Sequence, residues 1–381
     1  MKKKVINFSI LISLILSYVV VPSIACTRIL WNTGEKVIVG RNEDFASASN
    51  PTLVLSGRGT ERVGTSDEAK IEKAVTWDIK YGSLVVFANN RFPMDGMNEK
   101  GLTARTLFFS DGDPNQHLSE EEKNEKKLLD SDHWISYILD NFSTVNEAVN
   151  SIKNDVYLAS VPGRKKYSYA TPKHISIADA TGNSAVIEIQ NGEVKIFEGS
   201  QYKIMTNPPK YQDMMAKTEA SQLDIFSPDF PTTFSGEDRF LRANYWVNQL
   251  PKPHNSDDVN TAYGFMYMAL GNVAFIPGMP LPDEDQPLMD DIVANLSHPD
   301  ESYGSATYFQ SISNLTDLHY RFKSLTAPSD IYFDFSSVDF NTLNGVSIIK
   351  RVENYAQNGW SGEINDHLQE IEGDIYAQEI E

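Results

Sequence analysis

Cys26 is the single cysteine in a chain of 381 residues, and it stands directly after Ser23-Ile24-Ala25. One cysteine cannot make an internal disulfide, so a thiol at this position asks for a chemical role. Two roles are physically sensible, a catalytic nucleophile and a lipid attachment point, and they predict different proteins. The residues before it bear on both. Lys2, Lys3 and Lys4 precede the apolar stretch VINFSILISLILSYVVV, and small Ser23 and Ala25 occupy the −3 and −1 positions of a cleavage site. Residues 1–25 therefore read as a secretory signal peptide, which implies export to the periplasm or the medium. The apolar run of about 17 residues, with Asn7, Ser9 and Ser13 inside it, falls short of the roughly 20 that a spanning helix needs.

Cleavage after Ala25 would make Cys26 the first residue of the mature chain. An α-amine titrates near ~7.7–8 and a thiol near ~8.5, so the amine can take the thiol's proton close to neutral pH. Nucleophile and base would then belong to one residue, with no histidine required. A guanidinium opposite, Arg41, would favour the thiolate, and the Asp44 carboxylate would hold the amine by hydrogen bonding. The lipid-anchor alternative has Ser23 where leucine is usual and lacks a polar tether, because Cys26 runs straight into TRILW. A non-catalytic exported lipoprotein, lipidated at Cys26, is the competing reading from a different class. Only that form would associate stably with a membrane.

Other chemistries find little support. The seven histidines form no HxxxH or HxH pair, and there is no CxxC, so no metal site is expected. The acidic stretch PDEDQP reads as a solvated loop. Neither a GxSxG elbow nor a glycine-rich phosphate loop occurs, and no cofactor is called for. Loss of Lys2, Lys3 and Lys4 with the leader takes the net charge from −19 to about −22. Such a surface repels nucleic acid and anionic lipid. An anionic substrate would need arginines to reverse that field locally.

The elements that must position these residues begin with a hairpin. CTRILWN and KVIVGRNEDF are β-rich runs around Thr33-Gly34. A turn centred there makes facing residue numbers sum to 67, which sets Cys26 opposite Arg41 and leaves Asp44 just past the partner strand. Further strands are expected in TWDIKYGSLVVFA and GLTARTLFF. Residues 111–127 read as an exposed loop. Helical spacing then appears at Trp134, Ile135, Ile138, Leu139 and Phe142, and Thr144 with Glu147 marks a capping box opening a second helix. A strand meander follows over 173–199, then YKIMTNPP, helices in GEDRFLRANYWVNQL and VNTAYGFMYMALGNV, a loop over 276–301, and closing strands in SATYFQSISN, LHYRFKS and DIYFDFSSVDF. An α+β domain over 26–381, with helices on both faces of a mostly antiparallel double sheet, would bury these apolar faces together.

CTR, GRNEDF, DGMNEKGL, MTNPP and EDRFLR occur in an order that resembles the choloylglycine hydrolase family, across essentially the whole of 26–381. That family includes conjugated bile salt hydrolases and penicillin V acylases and lies within the N-terminal nucleophile (Ntn) hydrolase superfamily. The leader resembles the Gram-negative exported branch. The resemblance implies a four-layer αββα sandwich, with homotetramers common. It implies Cys26 as nucleophile, Arg41 beside the thiolate, Asp44 orienting the amine, and Arg239 as a further active-site arginine. Asn207 would supply an oxyanion-hole side chain, partnered by a backbone N–H around Phe108. Phe45 and Phe109 are candidate walls of an apolar acyl pocket.

The reaction implied is hydrolysis of a linear, non-peptide amide with an apolar acyl group, through an acyl-enzyme on sulfur. Glycine or taurine conjugates of bile acids rank first as substrates, penicillin V second and acyl-homoserine lactones third. Departures are visible. Phe108 stands where other branches place Asn or Tyr, Phe45 where relatives often have Trp, and no glycine-rich loop lies between Asn207 and Arg239, which leaves pocket and tetramer open. Without the resemblance, Asn207 before two prolines serves equally as a turn cap. Arg239 serves as a helix residue paired with Glu237 or Asp238, Asn98 as a structural turn residue, and Asp44 as a strand end.

Overall fold

The structure is a computed structural model that describes residues 26–45, 50–88, 92–160, 172–253, 259–279, 305–327, 329–343, 345–349, 361–371 and 376. The expected leader and most of the expected 276–301 loop lie outside these residues. In chain order the strands and helices are β1 (Cys26–Asn32), β2 (Val37–Phe45), β3 (Thr52–Ser56), β4 (Glu61–Val63), β5 (Thr76–Asp78), β6 (Ser83–Ala88), β7 (Phe92–Asn98), β8 (Thr103–Phe108), α1 (Glu120–Glu125), β9 (Lys127–Asp130), α2 (Trp134–Asn141), α3 (Val145–Asn154) and β10 (Val156–Ala159). Then come β11 (Lys173–Ala178), β12 (Ser184–Gln190), β13 (Glu193–Glu198), β14 (Ile204–Met205), α4 (Tyr211–Ala220), α5 (Gly236–Gln249), α6 (Val259–Gly271), β15 (Ala306–Asn314), β16 (His319–Ser324), β17 (Ile331–Asp334), β18 (Val346–Ile349), β19 (Gly362–Glu363) and β20 (Gln369–Ile371).

Two large sheets hold most of the strands. One has seven strands in the order β14-β1-β2-β15-β16-β17-β19, and the other nine in the order β13-β12-β11-β8-β7-β6-β3-β18-β20. Three apolar clusters show how they stack. Leu30, Val37 and Val39 meet Leu84, Val86 and Met97 between the two sheets. Ile29, Trp31 and Ile38 meet Phe240, Ala262 and Met266 of α5 and α6 on the outer side of the first sheet. Val85, Phe87 and Ala104 meet Trp134, Ile138 and Val149 of α2 and α3 outside the second. The result is an αββα sandwich. Strand side chains alternate between faces, so each strand feeds two of these layers at once.

Local signals account for much of this. Thr144 and Glu147 make the reciprocal capping box that opens α3. The Asn191-Gly192 turn, with both residues at positive φ, joins β12 to β13.

Other expectations need correction. Residues 111–127 are not all loop, because Ser119 and Glu122 form a second capping box and α1 follows. β9 begins at Lys127 and pairs in parallel with β10. Helix α4 carried little periodic signal, since only Tyr211 and Met214 are buried along it.

The first hairpin closes two residues later in register than expected. Cys26 faces Glu43, and Arg41 faces Arg28. The turn is wider because Thr33 N–H donates to the Lys36 carbonyl at 2.9 Å, closing a four-residue loop. Asp44 lies one residue past the last β1 pair, as expected, and is still part of β2, where it pairs with Thr307 of β15. A slip of two keeps every side chain on its original face, whereas a slip of one would have reversed them all.

Candidate active site

The two faces of β1 and β2 divide the site. Cys26, Arg41 and Glu43 point toward the second sheet, where Arg41 Nη1 donates to the Met94 carbonyl of β7. Thr27, Asn42 and Asp44 point toward the helices, where Asn42 Nδ2 donates to the Leu270 carbonyl at 2.9 Å. All six are buried.

Each heteroatom of Cys26 has its own partner. The backbone N–H donates to Asn207 Oδ1 at 2.5 Å, a contact across 181 residues of sequence. The carbonyl accepts from Arg239 Nη1 at 2.6 Å. Sγ lies 3.2 Å from Glu43 Oε2 and 3.7 Å from Arg41 Nη2. Arg41 Nη2 also pairs with Glu43 Oε2.

Arg239 makes neither of the local pairs open to it. Glu237 pairs with Lys217 and Asp238 accepts from Thr233. The Arg239 guanidinium reaches Thr27 Oγ1 at 2.8 Å and Asn207 Oδ1 at 3.0 Å. Its placement depends on the start of α5. A Cβ on Gly236 would come within 2.2 Å of the Pro208 carbonyl, so only glycine lets the helix begin against the Asn207 segment. Thr206 Oγ1 also donates to the Gly236 carbonyl at 2.8 Å.

Asn207 is no local turn cap. Its Nδ2 donates to the Phe108 carbonyl at 2.9 Å, so it ties β8 to the start of β1. β7 follows β8 only as far as Arg105, while β11 continues to Phe108, and the β7-facing edge of β8 is thereby left to the Asn207 side chain. Phe45 ends β2 opposite Ala306, half-buried. Phe109 is fully buried with its ring stacked on His174 at 4.7 Å, so it belongs to the packed interior behind β8 rather than to an open pocket wall. Asn98 is structural: its amide bridges the Leu139 and Phe142 carbonyls to the Lys100 and Leu102 N–H groups.

Burial sets the electrostatics. It pushes the Cys26 thiol well above its ordinary range, aided by Glu43 and opposed by Arg41. It likewise holds the Glu43 carboxyl up against the pull of Arg41. Asp44 is pushed up to about 7 by burial, against the pull of Arg239 and a hydrogen bond from Thr307. Its Oδ2 has no hydrogen bond and lies 4.0 Å from Arg239. Burial lowers Arg239, and Asp44 opposes that. Among the described residues no group of three or more His, Cys, Asp or Glu converges on a possible metal position.

The sequence model of the linear amide C–N hydrolases, choloylglycine hydrolase family, matches residues 26–290. The chain belongs to this family. It is a hydrolase of linear amide C–N bonds with an Ntn-hydrolase fold. A penicillin V acylase from Pectobacterium atrosepticum is 26% identical over 85% of this chain and 84% of its own length. The structure of penicillin V acylase from Agrobacterium tumefaciens superposes with a TM-score of 0.72 at 27% identity, over 91% of this chain and 98% of that one. A bile salt hydrolase/transferase from Clostridium perfringens is 26% identical over 49% of this chain and 54% of its own.

Cys26, Arg41, Asp44, Asn207 and Arg239, named from the sequence, thus lie together in this choloylglycine-family fold, with the Phe108 carbonyl at the Asn207 amide. Sequence reasoning passed over Glu43 and Thr307. Glu43 had a usable signal, since i and i+2 share a strand face and Arg41 was already assigned to the thiol. Thr307 had none, because its pairing with Asp44 joins segments more than 260 residues apart.

Proposed function

We propose that the enzyme cleaves an amide between an apolar acyl group and a polar amine, using Cys26 as an N-terminal nucleophile after removal of residues 1–25. The observation that carries this reading is the separate hold on the nitrogen, carbonyl oxygen and sulfur of Cys26 by Asn207, Arg239 and the Arg41–Glu43 pair. A residue fixed at all three positions is oriented for attack. Freeing the nitrogen turns an amide N–H into an ammonium with three donors. Asn207 Oδ1 accepts one, and the unpartnered Asp44 Oδ2 is the acceptor for another. A positive charge beside the sulfur offsets part of what burial costs the thiolate.

Sulfur then adds to the substrate carbonyl. The second N–H of the Asn207 amide, whose first goes to the Phe108 carbonyl, stabilises the oxyanion together with a main-chain N–H at Phe108. The α-ammonium protonates the departing amine, and water releases the acyl group from sulfur.

Penicillin V moves ahead of bile salt conjugates, because the penicillin V acylases match at 26–27% identity over most of this chain with a TM-score of 0.72, while the conjugated bile acid hydrolase structures from Clostridium perfringens, covered as fully, match at 19–20% identity with TM-scores of 0.64 and 0.67. The test measures amine release from penicillin V, glycine- and taurine-conjugated bile salts and acyl-homoserine lactones, alongside the intact mass of the exported protein. The expected result is an unblocked Cys26 at the N-terminus, fastest turnover of penicillin V, and none in Cys26→Ala. A diacylated or blocked Cys26, or turnover surviving in Cys26→Ala, overturns the reading.

A further inference from the structure

We propose that Glu43 is the proton acceptor for the Cys26 thiol, so that sulfur and carboxylate share one proton beside Arg41. This rests on Cys26 being the nucleophile and assigns a residue that the N-terminal amine would otherwise replace. The hairpin sets Glu43 directly across from Cys26, and the thiol donates to Oε2 at 3.2 Å, well inside its 4.0 Å separation from the Asp44 carbonyl. The Cys26 nitrogen directs its N–H elsewhere, to Asn207.

The charges around Glu43 limit the cluster to one proton. From its own strand come Arg41, on the same face, and Asp44, on the opposite one. β1 contributes Cys26, and β15 contributes only uncharged Phe309 opposite Glu43. β7 contributes Asp95 and β8 contributes Arg105, which pair with each other at 2.8 Å. Arg41 is the guanidinium that touches both groups, and it pairs directly with Glu43. A thiolate formed beside an ionised Glu43 would face a like charge only 3.2 Å away in a dry interior. One proton therefore stays, and it moves between sulfur and oxygen. Burial, which holds Glu43 above the usual carboxylate range, makes that carboxyl a competent partner for a thiol.

The steps balance. As sulfur forms its bond to the carbonyl carbon, the S–H bond breaks, its electron pair goes into the new S–C bond, and the proton passes to Glu43 Oε2. The carbonyl π pair moves to oxygen and returns as the C–N bond breaks, and the α-ammonium supplies the leaving nitrogen's proton. In deacylation water adds its oxygen to the acyl carbon and gives a proton to the α-amine. The departing sulfur recovers its proton from Glu43.

The single cysteine makes the test direct, because alkylation by iodoacetamide reports on Cys26 alone. Glu43→Gln keeps the shape, cannot hold the proton, and leaves Arg41 facing the sulfur unopposed. The expected result is faster alkylation than wild type at pH 6 together with amide turnover lower by about 10²-fold. A merely structural role lowers both. Turnover within roughly threefold of wild type, or a fall in both rates in a folded variant, overturns the proposal. If the Gln variant does not fold, Glu43→Asp decides. It keeps the Arg41 pairing but draws the carboxylate back by one methylene, so turnover should fall at least tenfold, and wild-type turnover overturns the proposal. Cys26→Ala separates the two levels: turnover surviving there removes the nucleophile itself, whereas a dead Cys26→Ala beside a fully active Glu43→Gln removes only Glu43.

Discussion

Two regions of the sandwich bury carboxylates, and they treat them in opposite ways. On the outer side of the nine-stranded sheet, Asp140 of α2 is saturated. Its Oδ2 accepts from Arg62 Nη1 and Trp77 Nε1, each at 2.9 Å, and its Oδ1 accepts from Ser83 at 3.2 Å. Its backbone carbonyl takes the Lys80 and Tyr81 N–H groups, so the side chain and main chain together pin the β5–β6 connection to α2. At the other end, Asp44 keeps an oxygen with no hydrogen bond, and Glu43 shares its oxygen between a guanidinium and a thiol. A saturated carboxylate is a strut, because any change in its charge breaks the whole set. An unsaturated one in a dry interior is costly, and such groups concentrate where chemistry needs an open acceptor.

The largest effect should come from breaking the strut. Asp140→Asn breaks the buried ion pair with Arg62, which should cost about 3–5 kcal/mol of stability. Denaturant titration measures it, and turnover per folded molecule should stay at the wild-type value. A loss below about 1 kcal/mol would mean that Asp140 is no strut.

Next, Asn207→Ala removes the amide that joins Cys26, Arg239 and Phe108. Under the oxyanion assignment it should cost about 2.7–4 kcal/mol of transition-state stabilisation, or ~10²–10³ in kcat. Steady-state kinetics with circular dichroism separates this from unfolding, and near wild-type kcat would withdraw the assignment.

The smallest effect sharpens the contrast by pH. In the full chain Asp44 is raised from its ordinary 3.8 to about 7 by burial. Between those values the folded state holds more protons than the unfolded state, so stability falls as pH rises through the window. Asp44→Asn has no such dependence. Thermal melts of the full chain from pH 5 to pH 8 should therefore show the variant gaining on wild type as pH rises, by roughly 2–4 °C for each kcal/mol of desolvation relieved. A Tm difference that does not change with pH would mean that Asp44 is not buried as described.

How much of this could be read beforehand varied with the range of the interaction. The α3 capping box, the Asn191-Gly192 turn and the alternation in β11 and β12 depend on residues a few positions apart, and they were legible. Helix α4, with little apolar periodicity, and the parallel pairing of β9 with β10 depend on what packs against them, and they were not. The hairpin register lay between. The turn signal located the reversal, but the four-residue loop closed by Thr33 and Lys36 set the pairing two residues away, which exchanged Arg41 for Glu43 opposite Cys26. Arg239 shows the limit most plainly, since two acidic neighbours in the same helical turn were the local prediction and the contacts made are with Cys26, Thr27 and Asn207.

Sequence by itself determined that the chain has a lone thiol, that it is acidic, and that its motifs run in the order of one hydrolase family. These are properties of residue type, spacing and order along the chain, which need no third dimension. Tertiary structure decided which groups touch the sulfur and which carboxylates are left with an open oxygen. Both depend on how two sheets and a helix close around one strand end, where burial removes the water that would otherwise have satisfied every charge equally.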